Sequence, residues 1–265
     1  MADYLLETIQ SVEKVYNPAL HEIIIVDDGS NDKRTLEILD SLTKHTLIRK
    51  ENGGVASARN EGIQKASGEY LIFLDSDNLL TKGYLTSGIE IMKSHPDIDI
   101  VYGESEIFGE SQGKINTRPY NLQTLMTYNY IDTCCLVRKR MLDELGGFDE
   151  NMRDTTGIED WEMWLRASYH GKKFYYMEGV TIQKYRMLGN SMMRKLNRDK
   201  RKRDKALKYL EDKYPSFLNF TEVSDFYFMK FNTQTFGWTA KLYLRKYFPN
   251  WYRKLVQKGK LSMYV

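Results

Sequence analysis

Tyr70-Leu71-Ile72-Phe73-Leu74-Asp75-Ser76-Asp77-Asn78 is the stretch on which the reading of this chain turns. Tyr70 to Leu74 form an unbroken apolar run, which predicts a strand buried on both faces. Asp75 and Asp77 follow at once. Residues two apart on an extended chain point the same way, so both carboxylates aim at one point past the strand's C-terminal end. That end is where open α/β sheets bind ligands. Two close carboxylates repel each other unless a cation lies between them. A hard divalent ion such as Mg²⁺, which also takes phosphate oxygens, suits the pair. The same residues are ordinary turn formers with Asn78 as cap, so the stretch alone leaves both readings open.

The flanking segments repeat the design. Asp3 can cap a helix from about Tyr4 to Val15, with Tyr4, Leu5, Ile9 and Val12 at helical spacing. Ile23-Ile24-Ile25-Val26 is a β-branched run that predicts a second buried strand. Asp27-Asp28-Gly29-Ser30 again puts carboxylates at its end. A helix from about Lys33 to Thr43 and a weaker strand, Thr46 to Arg49, come next. Asn52-Gly53-Gly54 then opens a helix whose N-terminus favours an anion, with Arg59 one turn in and within reach of a phosphate or a base edge. The bland account is a loop-to-helix joint with Arg59 on the surface. Helix and strand alternate three times up to the Tyr70 strand, which predicts an α/β fold with a parallel sheet and helices on its faces.

Downstream, helices are expected at Gly83–Ser94, Tyr120–Tyr130 and Arg140–Leu145, and strands at Asp99–Gly103, Asp132–Arg138 and Val180–Arg186. Gly146-Gly147 supplies a left-handed helix end. Ile158 to Arg166 reads as the first turns of another helix, with Ile158, Trp161 and Leu165 as its buried stripe. Glu159 and Asp160 fall in its first turn, where the helix dipole keeps a carboxylate ionised. Such a group at a cleft mouth can act as a general base. It can equally do no more than stabilise the helix.

Composition bounds the rest. An apolar fraction of 42% supports a real core, and the net charge of +3 is unevenly spread. Residues 237–265 hold seven Lys and Arg and no acid, which leaves 32 basic against 36 acidic residues elsewhere, a net of −4. This predicts a mildly acidic body and a basic-aromatic appendage. Such an appendage can lie on an anionic membrane surface or pack on the body with its cations solvated. No nucleic-acid recognition motif accompanies it. Cys134 and Cys135 are adjacent and read as reduced, packed residues. No run approaches the roughly 18 apolar residues of a membrane span, and the opening residues do not read as a signal peptide. A cytoplasmic protein is expected. His21, His45, His95 and His170 are expected to be structural or surface residues.

Taken together, Ile25-Val26-Asp27-Asp28-Gly29-Ser30, Asn52-x-Gly-x-x-x-Ala58-Arg59-Asn60-x-Gly62, Phe73-Leu74-Asp75-Ser76-Asp77, Gly146-Gly147-Phe148-Asp149, Glu159-Asp160-Trp161 and Tyr185-Arg186 resemble the family-2 glycosyltransferases of GT-A fold. Each is weak alone; their order and spacing are specific. The resemblance covers roughly residues 1–193, and so implies a GT-A domain there and a helical, basic-aromatic extension over 194–265. It implies a Rossmann-like, mostly parallel sheet flanked by helices. It also implies an inverting transfer of sugar from a nucleotide-diphosphate donor, with a UDP-sugar expected, to a saccharide or lipid-linked acceptor in surface polysaccharide or glycolipid synthesis. That activity would be cytoplasmic, at the inner face of the plasma membrane. Asp28 would bond the base with Asp27 beside it, Arg59 would line the base and phosphate pocket, and Asp75 would hold the ribose side. Asp77, with Asp75, would hold Mn²⁺ or Mg²⁺. Asp160 would be the base, with Glu159 and Trp161 shaping the acceptor site.

Two departures stand out. The family normally opens on a strand ending in Pro-x-Tyr-Asn, whereas Met1 to Leu6 already reads as the first helix, so that strand and the residues that would sandwich the base are expected to be missing. Many members also carry a His two residues after the Tyr-Arg, where this chain has Leu188. These features support a degenerate GT-A-fold binding protein as the alternative. A sugar nucleotidyltransferase is a further one, but it would want a Gly-rich, Arg-containing loop near the N-terminus that this chain lacks.

Overall fold

A computed structural model describes residues 2–155, 157–189 and 199–215, with the isolated positions 244, 247, 248, 251 and 255. In chain order the elements are α1 (Ala2–Glu13), β1 (Ile24–Asp27), α2 (Lys33–Ser41), β2 (Thr46–Arg49), α3 (Val55–Lys65), β3 (Tyr70–Ile72), β4 (Leu79–Leu80), α4 (Tyr84–Ser94), β5 (Ile100–Gly109), β6 (Gly113–Lys114), α5 (Leu122–Thr127), β7 (Leu136–Arg138), α6 (Lys139–Leu145), a 3₁₀ turn (Glu150–Thr155), α7 (Glu159–Tyr169), β8 (Phe174–Met187) and α8 (Lys200–Lys213). Among the described residues no helix is long and apolar enough to cross a membrane. Apart from the isolated positions, the basic-aromatic segment 237–265, with its expected membrane contact, lies outside them.

The α/β architecture is the expected one, and the strand directions are more mixed than the alternation implies. β1 and β2 form a parallel pair of their own. The larger sheet runs β3-β7-β5-β8-β4, with β6 on β5. Within it β5 and β8 are parallel, and β7 and β4 run against their neighbours. β3 therefore lies at an end of the larger sheet. Among the described residues neither β1 nor β3 has a partner on its second edge. This corrects the expectation of a Tyr70 strand buried on both faces and of a buried strand at Ile23. Leu71 is buried, whereas Tyr70, Ile72, Phe73, Leu74 and Ile23 to Val26 are only half-buried, because each run has one strand beside it.

Side-chain alternation on the strands sorts the core onto two faces. Leu71, Ile100, Tyr102 and Val137 point to one side, into a cluster with Met141 and Leu142 of α6, Trp161 and Trp164 of α7 and Ala206 and Leu210 of α8. Val101, Leu136 and Ile182 point to the other, against Tyr84 and Met92 of α4. The buried Tyr84 hydroxyl donates to Val101 O at 2.9 Å and accepts from Leu136 N at 2.6 Å, so it ties β5 to β7. At the end of α6, Gly146 takes the left-handed conformation, φ +78°, as its sequence predicts.

α8 belongs to this core although it lies beyond residue 194. Asp199 caps it by accepting from Lys202 N, and Ala206, Leu210 and Tyr214 are buried at helical spacing. Its last turn clamps α7. Lys213 Nζ and the Tyr214 hydroxyl donate to Glu162 Oε1 at 2.8 and 2.6 Å, and Arg166 donates to Glu162 Oε2 at 2.9 Å. Lys213 and Tyr209 also donate to Asp149 Oδ2. Burial works against ionised Asp149, but these donors hold its carboxyl at about 2. A depressed carboxyl stabilises the fold above its ordinary range, and that contribution disappears as pH falls through the folded value. Replacing Lys213 with Met leaves Glu162, which is 0% exposed, one cation short. The expected loss is about 3 kcal/mol at neutral pH, read as a lower urea midpoint, with acid unfolding moved to higher pH.

Candidate active site

β1 delivers Asp27 and Asp28 to the loop that opens α3. Gly29 turns the chain with φ +81°, and a Cβ there would lie 2.9 Å from Asn52 N, so glycine is what allows the two loops to touch. The buried Asp27 accepts from Ser30 N at 2.9 Å. Asp28 accepts from Gly53 N and Gly54 N, each at 2.8 Å, and from Lys50 Nζ at 3.1 Å. The anion at this helix N-terminus is thus the chain's own carboxylate. Burial opposes its charge, but the two amides and the lysine hold Asp28 below the usual carboxylate range. It stays ionised and accepts only.

Arg59 lies one turn further along α3 and is 12% exposed, not a surface group. Its Nη2 donates to Asp75 Oδ1 at 3.0 Å, and its Nη1 lies 3.6 Å from Glu159 Oε1. The guanidinium sits over the Phe148 ring, 5.2 Å from its centroid. Burial would lower its basicity, but Asp75, Glu159 and Asp160 raise it further than burial lowers it. Asp77 is pushed up by burial and by Asp75 beside it. Its loop is braced from β8. Arg186 N donates to Asn78 Oδ1 at 2.8 Å and Arg186 Nε to Asp77 O at 2.9 Å. The same guanidinium meets Glu7 and lies between the Tyr4 and Phe108 rings.

α7 brings the third acidic group. Glu159 is buried, accepts from Gly157 N at 2.7 Å and faces Arg59. Trp161 is buried too, and its indole N–H donates to Leu125 O at 2.6 Å. Asp160 Oδ1 accepts from Trp161 N at 2.7 Å, and Oδ2 accepts from Asn129 Nδ2 at 2.9 Å. Burial first, then Glu159 and Asp132, raise Asp160 to about 7, against the pull of Arg59 and the Trp161 amide.

Sequence reading missed two residues here and gave a third no role of its own. Asn129 carried no signal. Asp132, which accepts from Cys134 N at 2.8 Å, is raised to about 6, by burial first and then by Asp75. Its signal is topological: β7 runs antiparallel to β3 with Leu136 opposite Ile72, so residues before β7 lie beside residues after β3. Tyr185 was noted only as part of a motif. Its hydroxyl is pushed up by burial and by Asp132, Asp75, Asp77 and Asp160. The histidines behave as expected. His45 pairs with Glu13, His21 accepts from Asn17 N, and His95 and His170 cap the ends of α4 and α7.

Among the described residues no three His, Cys, Asp or Glu side chains converge as a metal cage. Burial first and then Asp75 raise Asp77, and such a pair would suit an ion whose other ligands came from a diphosphate, the way Mg²⁺ is usually held.

The model of the family described as Glycosyl transferase family 2 matches residues 2–146. This chain belongs to that family. An uncharacterized glycosyltransferase of Rickettsia typhi is 31% identical over 180 residues, covering 63% of this chain and 56% of that protein. A putative teichuronic acid biosynthesis glycosyltransferase of Bacillus subtilis, TuaG, is 40% identical over 95 residues, 34% of this chain and 37% of its own length. The chain thus spans little more than half, or less, of these relatives. The crystal structure of S. aureus TarS 1–349 in complex with UDP superposes with a TM-score of 0.59 at 19% identity, over 70% of this chain and 57% of that one. That likeness establishes the glycosyltransferase GT-A fold.

Arg59 holds the acids of β3 and α7 together, so Arg59→Met is expected to cost about 3 kcal/mol. Asp160 ionises at about 7, so the loss should grow as pH rises from about 6 to about 8, where the missing cation faces one more charge. Urea unfolding across that range reads it out.

Proposed function

We propose that this chain is an inverting, metal-dependent glycosyltransferase that moves a sugar from a nucleoside-diphosphate donor, a UDP-sugar, to a hydroxyl of a saccharide or lipid-linked acceptor in surface-polysaccharide synthesis. The observation that carries it is the Arg59 bridge. Through it the acid after β3 and the acid at the head of α7, which belong to the groups that would serve donor and acceptor, lie against one guanidinium. Asp28, anchored at the N-terminus of the same helix, is an ionised acceptor and suits a base N–H. The teichuronic acid and teichoic acid proteins among the relatives support the polymer class, and the UDP complex of TarS supports the donor class.

The chemistry is one displacement. The acceptor oxygen forms a bond to the anomeric carbon from the face opposite the leaving group, and the bond from that carbon to the diphosphate oxygen breaks. The hydroxyl proton passes to Asp160, whose ionised form exists above about 7. Asn129 and the Trp161 amide orient the carboxylate. Asp77 and Asp75 would hold Mn²⁺ or Mg²⁺, which when bound offsets negative charge on the departing diphosphate as a Lewis acid. The basic-aromatic residues 237–265 favour an anionic membrane surface, where a lipid-linked acceptor would reside at the inner face.

Calorimetry with UDP and Mn²⁺, paired with donor turnover, tests this. Asp77→Ala is expected to lose ion-dependent nucleotide binding. Asp160→Asn should keep binding and lose transfer by about 10²- to 10⁴-fold. Wild-type transfer should fall as pH drops below about 7, because the base becomes protonated. Normal transfer by Asp160→Asn would remove the base assignment, and absence of nucleotide binding by the wild type would favour a non-catalytic binding protein.

A further inference from the structure

We propose that Asn129 is the positioning residue for Asp160: it fixes the rotation of the carboxylate and favours its ionised form through a donor from outside α7. This rests on the reading of Asp160 as the base. The amide has a defined orientation. Asn129 Oδ1 accepts from Ile131 N at 3.1 Å, which leaves Nδ2 to donate to Asp160 Oδ2 at 2.9 Å. The segment that carries it is fixed on both sides. Tyr130 is buried, with its hydroxyl accepting from Asn121 N at 2.8 Å. Two indoles of α7 staple that helix to the same stretch, Trp161 Nε1 to Leu125 O at 2.6 Å and Trp164 Nε1 to Ile131 O at 3.0 Å. The helix bearing Asp160 and the loop bearing Asn129 therefore move as one unit, and the donor-to-carboxylate distance is set by packing.

The need for such a donor follows from the surroundings. Glu159 on α7 and Asp132 ahead of β7 oppose ionisation of Asp160, and the buried Cys135 and half-buried Tyr185 add no positive charge. Arg59 from α3 is the cation that faces it, and Arg59 is already engaged by Asp75 and Glu159. A hydrogen bond to a charged group favours that charge. Asn129 supplies one without placing a second cation where an acceptor must enter.

Asn129→Asp tests this, because it keeps the shape and the acceptor for Ile131 N–H but replaces the donor with a further carboxylate. Asn129→Ala is the second variant, in which the donor is deleted without added charge. In Asn129→Ala the acidic limb of the kcat profile should move up by about one pH unit. kcat at pH 7 should fall about tenfold, with donor KM and UDP affinity unchanged, and raising the pH should restore it. Asn129→Asp should move the limb further. Carboxyl NMR titration of Asp160 in each variant reads the same shift without turnover. A wild-type titration of Asp160 in both folded variants overturns the positioning role whatever the activity. A shifted titration beside an active Asp160→Asn would instead sink the base assignment and leave the Asn129–Asp160 link standing.

Discussion

The cleft depends on one nearly buried guanidinium. Arg59 comes from α3 and meets an acid after β3 and another at the head of α7, some hundred residues further on. A buried cation is costly unless it is paired, so the contact pulls the two acidic groups into one place. The planar guanidinium can serve two carboxylates in different directions while stacking on an aromatic ring, which a lysine cannot do. The ring beneath it is fixed by the next residue. Asn60 Nδ2 donates to Phe148 O at 2.9 Å and Asn60 Oδ1 accepts from Phe148 N at 2.7 Å. The Ala-Arg-Asn and Gly-Gly-Phe-Asp motifs are therefore two halves of one joint.

α7 is held more firmly than a helix needs for its own sake. Glu162 draws Arg166, Lys213 and Tyr214 on its outer side, while Trp161 and Trp164 donate to main-chain oxygens on the inner side. α7 is thereby held with two acids at its head beside Arg59, where burial and like charge raise Asp160 to about 7. α8 packs into the same core and clamps α7, so it belongs structurally to the α/β body even though the family resemblance stops near residue 193.

Much of this was legible because it is local. Apolar runs ending in acids, glycines before a helix and acids in a first turn each carry their chemistry within a few residues. What escaped was non-local. Asp132 enters the site because β7 runs antiparallel to β3, and no window around Asp132 contains that fact. Asn129 sits in an irregular segment whose meaning comes from two tryptophans more than thirty residues away. The apolar run at Tyr70 predicted burial on both faces and the one at Ile23 a buried strand, yet run length does not say how many strands lie beside them, and each has one among the described residues. The helix-start reading at Gly53-Gly54 found the anion site but not its occupant, since Asp28 lies 25 residues upstream.

That occupant bears on how the proposed donor would be held. The amides of Gly53 and Gly54 and the Lys50 ammonium are directed at Asp28. Arg59 is shared between Asp75 and Glu159, and Arg186 is engaged by Glu7 and Asp77 O. The cations that this cleft draws from the described residues thus already have acidic or carbonyl partners. A diphosphate approaching Asp75 and Asp77 would add charge of the sign already in excess there, where Asp77 is raised by burial first and then by Asp75. A divalent ion held by Asp75 and Asp77 would reverse the sign of the interaction, relieving the repulsion between the two carboxylates and turning an unfavourable approach into a favourable one. Under the proposed reading, nucleotide and ion should therefore bind as a linked pair, each raising the affinity for the other by the same factor.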